Sequence, residues 1–147
     1  MIQTVLMVCV GNICRSPTAE YILRQEAKNI RVVSAGLDAL VGCPVDENAL
    51  RVAADFGLDI SPHRAQQLNG ALLSSADLVL VMEGAHKHEI MRRHPSASGK
   101  VFRLGELENF DVTDPYRKSL EHFLESFRLI QHGVNLWAPR IQALAIS

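Results

Sequence analysis

Short apolar runs alternate with helix-like segments along this 147-residue chain, and this alternation constrains the fold more than any other feature. The runs at residues 4–8, 30–33, 77–82 and 101–104 have the length and composition of buried strands. Strands that alternate with helices predict right-handed crossovers and a parallel sheet. We therefore predict an α/β fold in which residues 1–147 form a single domain, with a four-stranded parallel sheet and helices on both faces.

Capping residues predict where the helices begin and end. Ser16 is suited to be the N-cap of the first helix and Pro17 to its first position, while Asp46 begins the second helix and Gly57 closes it. Residues 34–36 end the second strand. The predicted helical segments are residues 16–28, 46–56 and 83–93, part of residues 61–76, and a last helix from residue 119 that Pro139 kinks or ends.

Charge and hydropathy exclude several classes of function. The formal net charge is -1 with both signs scattered along the chain, so a nucleic-acid or anionic-membrane partner is not expected. The apolar start of the chain lacks a basic segment and meets Gly11 too early for a signal peptide, and no apolar run reaches membrane-spanning length. We therefore expect a cytoplasmic protein with no direct membrane insertion.

Cysteine and histidine spacings give no sign of a metal site. The odd number of cysteines, at positions 9, 14 and 43, fits neither a disulfide framework nor paired zinc ligands, so reduced thiols are expected. His86, His88 and His94 do not have the spacing of ligands on one helix face and are assigned to a solvated surface. Neither a metal ion nor a cofactor is expected.

The loop after the first strand carries the main chemical signal. Cys9 and Arg15 flank five residues between a predicted strand and a predicted helix. Such a loop presents backbone N–H groups and the positive end of a helix dipole to an anion, and Gly11 and Asn12 tolerate the unusual backbone angles required. Arg15 adds a planar fork for phosphate oxygens, and the same positive surroundings favour a thiolate at Cys9. The alternative is a buried thiol and a surface arginine that are unrelated.

Three segments give the chain a resemblance to a known family. Residues 8–17 read VCVGNICRSP, residues 34–36 read SAG, and residues 114–116 read DPY. With these segments the chain resembles the low-molecular-weight protein tyrosine phosphatases, particularly their bacterial branch, over nearly its whole length. Without the resemblance, residues 114–115 would indicate only a turn.

The resemblance implies a mechanism and a substrate. Cys9 would attack phosphorus to form a cysteinyl-phosphate, Arg15 would clamp the phosphate, and Asp114 would act as general acid and then general base. The expected partner is a phosphotyrosine-containing protein, with a bacterial tyrosine autokinase of exopolysaccharide export as one candidate.

Further residues are implied to bind substrate. Asn12 would hold the shape of the loop, Ser16 would hydrogen-bond the Cys9 thiolate, and Leu40 and Tyr116 would form the walls of the pocket. Cys14 would either form a reversible disulfide with Cys9 or be an inert core thiol. The full set of expected substrate-binding residues is Val10, Gly11, Asn12, Ile13, Cys14, Ser16, Leu40 and Tyr116.

Two other functions are compatible with such a loop. A thiol-dependent arsenate reductase of the same fold would need further downstream cysteines, but only Cys43 is present. A catalytically silent phosphotyrosine- or oxyanion-binding protein would keep Arg15 and lose the nucleophile or the acid, whereas Cys9 and Asp114 are both present. Tyr116 is followed by Arg117, which makes the rim of the pocket more basic.

Overall fold

Four parallel strands form the centre of the protein, whose computed structural model describes residues 1–145. The strands are β1 (Thr4–Cys9), β2 (Arg31–Gly36), β3 (Leu78–Val81) and β4 (Val101–Arg103). They lie in the order β2-β1-β3-β4, and each neighbouring pair is parallel. This confirms the predicted α/β class and the four-stranded sheet.

Helices cover both faces of the sheet. The side chains of β1 alternate, so that Val5 and Met7 face one core cluster while Leu6 and Val8 face the other. The helices are α1 (Arg15–Glu26), α2 (Glu47–Asp55), α3 (Gly70–Ser75), α4 (Gly84–Arg93) and α5 (Leu120–Leu144), with a 3-10 helix at Pro95–Lys100. The first cluster contains residues of α1, α2 and α5, and the second contains residues of α3 and α4.

Several predicted boundaries need correction. Strand β2 begins at Arg31, one residue later than the predicted run 30–33, and residues 34–36 belong to the strand itself, where they pair with the last residues of β1. Cys14, not Ser16, occupies the N-cap position of α1, and Ser16 is buried inside the first turn. Helix α5 runs through Pro139 to Leu144, so the proline does not end it. The carbonyl that Pro139 leaves without an intrahelical donor belongs to the exposed Asn135, where water can bind it.

The assignment of all three histidines of the α4 region to the surface is wrong for His86. His88 is exposed, but His86 is buried on the same face of α4 as Ile90, four residues further on. Side chains four residues apart share one face of a helix, and this face packs against the sheet. No helix within residues 1–145 combines the length and the apolarity that crossing a membrane requires.

Candidate active site

The loop between β1 and α1 is held by hydrogen bonds to its carbonyl groups. The carbonyls of residues 9, 10 and 11 accept the N–H groups of residues 37, 38 and 40 at 2.9, 3.0 and 3.1 Å, and the Ile13 carbonyl accepts the Asp46 N–H at 2.8 Å. Within the described chain, the N–H groups of residues 10–14 donate to no other group. Because the carbonyls are turned outward, these N–H groups are left to bind an anion on the inside.

The inside of the loop is a cavity of about 200 Å³. Its lining consists of residues 9–15 together with Asp38, Leu40, Asp114 and Tyr116. The structure therefore brings all but one of the predicted site residues to one cavity, although Asp114 is 105 residues from Cys9 in sequence. Ser16 is the exception, because it lies beneath the loop, and Asp38 is a lining residue that the sequence did not predict.

A chain of buried polar side chains supports the Cys9 sulfur from below. The Sγ atom of Cys9 lies 2.9 Å from the Ser16 hydroxyl, which donates to the sulfur when that is a thiolate. Asn12 donates through Nδ2 to Ser16 at 2.8 Å and to Ser34 at 3.0 Å. Asn12 is fully buried with φ 58°, a left-handed conformation that asparagine adopts more readily than most residues. These contacts correspond to the loop-shaping role expected of Asn12.

The hydrogen-bond network beneath the loop includes further groups that the sequence did not predict. The side-chain Oδ1 of Asn12 accepts the Gln66 N–H at 2.9 Å, and the backbone carbonyl oxygen of Asn12 lies 2.8 Å from Nε2 of His63. Ser34 donates to the Glu20 carboxylate at 2.5 Å. Burial raises the pKa of Glu20, opposed by this hydrogen bond from Ser34. The nucleophile loop therefore rests on one buried network contributed by α1, β2 and the segment before α3.

Arg15 is oriented by contacts on one side of its guanidinium. The side chain is 2% exposed, and its Nη1 donates to Glu83 at 2.5 Å and to the Val112 carbonyl at 2.7 Å. Its Nη2 has no hydrogen bond within residues 1–145 and lies 3.8 Å from Asp114. Since Arg15 also lines the cavity, the side of the fork that carries Nη2 is available to an oxyanion.

Asp114 lies at the mouth of the cavity. Its side chain is 48% exposed, and its Oδ1 accepts the Tyr116 N–H at 3.0 Å. Leu40 and Tyr116 form partly exposed walls of the same cavity. An anion bound at the loop therefore has a sulfur beneath it, a guanidinium beside it and a carboxyl group at the exit, which is an arrangement suited to phosphoryl transfer.

The loop contains two cysteines, Cys9 and Cys14. Cys9, Cys14 and Cys43 are all free thiols, and the first two are buried. Burial, followed by the nearby Cys9, raises the pKa of the Cys14 thiol well above its ordinary value. Cys14 is therefore a neutral thiol at physiological pH and a poor nucleophile in the structure as it stands.

Comparison with known proteins agrees with this site. The family described as low molecular weight phosphotyrosine protein phosphatase matches residues 4–145. The chain belongs to this family. The predicted family, fold class and enzyme class are thereby confirmed: the protein is a phosphatase of the protein-tyrosine-phosphatase class.

Individual relatives of this phosphatase match over nearly their whole length. The chain is 58% identical to a probable low molecular weight protein-tyrosine-phosphatase EpsP from Ralstonia nicotianae, over 98% of this chain and 99% of that protein. It is 41% identical to the phosphatase Wzb of Escherichia coli, over 97% and 98%. The structure of Vibrio vulnificus Wzb in complex with benzylphosphonate is similar with a TM-score of 0.92 and 40% identity, over 95% of this chain and 99% of that one.

Gly36 shows what the SAG segment of this phosphatase contributes. A Cβ atom at Gly36 would lie 2.3 Å from the Val10 carbonyl, so only glycine lets the nucleophile loop approach β2 this closely. Ser34, in the same segment, supplies the hydroxyl that joins Asn12 to Glu20. Among residues 1–145, no group of three or more histidine, cysteine or acidic side chains is placed to hold a metal ion.

Glu83 and His86 are the polar groups near Arg15 that sequence reasoning missed. His86 Nε2 lies 3.5 Å from the Glu83 carboxylate, and burial, followed by the charge of Arg15, lowers the pKa of His86. A half-buried acid at a helix start is a weak sequence signal, because the partner of Glu83, Arg15, lies 68 residues away in sequence. Only the packing of α4 against the sheet brings them together.

Proposed function

We propose that the protein hydrolyses phosphotyrosine through a cysteinyl-phosphate, with Cys9 as nucleophile, Arg15 as phosphate clamp and Asp114 as general acid and base. One observation carries this proposal. The Cys9 sulfur lies in a cavity lined by N–H groups that have no hydrogen-bond partner among residues 1–145, with the Nη2 side of the Arg15 fork beside it and the Asp114 carboxyl group at the mouth. A catalytically silent oxyanion-binding protein would need Arg15 at this cavity but neither the nucleophile nor the acid.

The first half of the reaction transfers the phosphoryl group to the enzyme. The Cys9 thiolate attacks phosphorus, the S–P bond forms and the bond to the tyrosine oxygen breaks. Asp114 gives its proton to the departing phenolate. The N–H groups of residues 10–14 and the Nη2 side of Arg15 stabilise the charge on the transferring phosphoryl oxygens.

The second half regenerates the free enzyme. Asp114, now a carboxylate, accepts a proton from the attacking water, the S–P bond breaks and inorganic phosphate leaves. The departing Cys9 thiolate receives the Ser16 hydrogen bond at 2.9 Å, which stabilises it as a leaving group. Water must reach the cysteinyl-phosphate intermediate, and Asp114, which is 48% exposed at the mouth of the cavity, lies where that water can enter.

The walls of the cavity support an aromatic substrate. Ile13, Leu40 and Tyr116 offer apolar and aromatic surface around the path from the anion site to the solvent. An aromatic ring gains from such surface by burial and by stacking, whereas the single methylene of phosphoserine gains little. We therefore propose phosphotyrosine, not phosphoserine, as the substrate.

The physiological partner is proposed from the family resemblance. We infer that the substrate is a phosphotyrosine-containing protein in the cytoplasm, with a bacterial tyrosine autokinase of exopolysaccharide export as the first candidate. The bacterial tyrosine phosphatases to which the chain is 58% and 41% identical support a bacterial substrate of this kind. The choice of partner is tested by measuring whether the protein dephosphorylates the purified, autophosphorylated domain of such a tyrosine kinase from the organism that encodes this chain.

The activity itself is tested with phosphotyrosine and phosphoserine peptides of matched sequence. We expect turnover of the first alone, and loss of turnover with retained binding of a phosphate analogue in Cys9→Ser. Full activity in that variant would remove the proposed nucleophile, and binding without any turnover by the wild type would favour the silent binding protein. Arsenate reduction, measured in parallel, is expected to be absent because no cysteine follows Cys43. The Cys9–Cys14 disulfide stays a prediction.

A further inference from the structure

The rim of the cavity is built by two segments that approach it from opposite sides. The segment after β2 supplies Asp38 and Leu40, and the segment between β4 and α5 supplies Tyr116. In the sheet order β2-β1-β3-β4, these two strands lie on either side of β1, which carries the nucleophile loop. A peptide that places phosphotyrosine in the cavity therefore has one flank near each segment.

The Tyr116 side of the rim carries an unneutralised cation. The guanidinium of Arg117 lies over the Tyr116 ring, 5.3 Å from its centroid. Arg117 is exposed, and within residues 1–145 no carboxylate lies within 4.0 Å of it. Its φ is 63°, a left-handed conformation that is uncommon for arginine, and residues in such conformations cluster at functional sites. The charge of Arg117 therefore lies beside the Tyr116 wall of the cavity.

The other side of the rim carries an anion. Asp38 lines the cavity, and its side chain is 74% exposed. Arg93 of α4 holds it at 3.5 Å and also donates to the Leu37 carbonyl at 2.9 Å, so the carboxylate is positioned from the α4 side. Arg93 partly offsets the charge of Asp38, but the carboxylate stays mostly exposed, so the cavity has an exposed carboxylate on one side and an exposed guanidinium on the other.

We propose that Arg117 and Asp38 select substrates in which the phosphotyrosine is flanked by opposite charges, with the acidic flank against Arg117 and the basic flank against Asp38. This inference rests on the proposed function and adds the substrate class. Because both groups are exposed, each contributes modestly, and the pair favours the matching peptide by roughly 3- to 10-fold over the reversed one. The rim also fixes the direction in which the peptide lies.

The test compares two phosphopeptides of identical composition, one with Asp before and Lys after the phosphotyrosine and one with these residues exchanged. At low ionic strength we expect the wild type to prefer one of them in kcat/KM by roughly 3- to 10-fold, and high salt to reduce the preference. In the double variant Asp38→Lys/Arg117→Glu the preference should reverse. Lys118 is the adjacent exposed cation and, within residues 1–145, lies over no aromatic ring, so Lys118→Glu should keep the wild-type preference.

Each peptide rate is divided by the rate of the same variant on a small aryl phosphate, which has no flanking residues. Equal rates for the two peptides in the wild type would overturn the inference, and so would a preference that the double variant leaves unchanged. Reversal by Lys118→Glu alone would also overturn it, because the selection would then follow net charge and not the two named positions. Failure of the wild type to hydrolyse the aryl phosphate would overturn the proposed function, which the peptide ratio does not test.

Discussion

Replacement of Asn12 by alanine should remove contacts that hold the nucleophile loop in shape, while the reacting residues Cys9, Arg15 and Asp114 are themselves unchanged. The Asn12 side chain is fully buried and makes hydrogen bonds to Ser16, Ser34 and the Gln66 N–H. Each is worth about 1 kcal/mol net. The left-handed backbone costs alanine about 1 kcal/mol more. Asn12→Ala should therefore lower the free energy of unfolding by about 3–4 kcal/mol.

The glycine variant isolates the backbone part of this effect. Asn12→Gly loses the same hydrogen bonds, but glycine adopts φ 58° without strain, so it should be about 1 kcal/mol more stable than Asn12→Ala. Urea unfolding followed by the fluorescence of Trp137, the single tryptophan, measures both variants. Asn135→Ala, on the exposed face of α5, is the matched control and should change stability little.

The activity of the same variants completes the test. Displacement of the loop by about 1 Å costs on the order of 100-fold in rate, so kcat/KM on an aryl phosphate should fall by about that factor under conditions where the variant is still folded. A free energy of unfolding within about 1 kcal/mol of the wild type, together with unchanged kcat/KM, would refute the reasoning. It would mean that the buried network beneath Cys9 carries neither stability nor loop shape.

Three other changes have distinct expected results. Arg15→Lys keeps the charge but loses the fork, so kcat/KM should fall by roughly 100- to 1,000-fold in steady-state kinetics, and a smaller loss than tenfold would argue against bidentate binding. Asp114→Asn should slow aryl phosphates with poor leaving groups by on the order of 100-fold more than those with good ones, whereas an equal effect on both would contradict its role as the acid. Gly133→Ala would place a Cβ atom 2.6 Å from a Leu104 side-chain carbon and should lower the free energy of unfolding by about 1 kcal/mol. Gly70→Ala places its Cβ atom in open space and should not lower it, so equal stability of the two variants would contradict the packing argument.

Local patterns predicted the sheet and the nucleophile loop because both are encoded over short stretches. The apolar run of β1 and the Gly11-Asn12 pair that follows it already specify a buried strand leading into an anion-binding loop. Asp46 and Gly57 capped α2 as predicted, because capping depends on contacts within a few residues. The role of Asp114 came from the family resemblance, since the residues alone indicated only a turn.

Ser16 shows where local reasoning fails. Its position before a proline suggests an N-cap, yet its hydroxyl is buried and contacts Cys9 and Asn12 instead. A serine at the start of a helix can serve either purpose, and the choice depends on whether the first turn faces solvent or the sheet. Here β1 and β2 cover the turn, which no property of the local segment reveals.

The contact of Arg15 with Glu83 raises the question of why a phosphate clamp should be paired with a carboxylate. A guanidinium that is 2% exposed must satisfy its donors and its charge inside the protein, and Glu83 and the Val112 carbonyl do so on the Nη1 side. The carboxylate weakens the attraction of the site for a phosphate dianion, so affinity depends more on the N–H groups of residues 10–14 and on the dipole of α1. In exchange, Arg15 is held in one orientation before the substrate binds, and no reorganisation is needed when charge develops on the transferring phosphoryl group. The pair thus favours stabilisation of the transition state over tight binding of phosphate, which is also the product of the reaction.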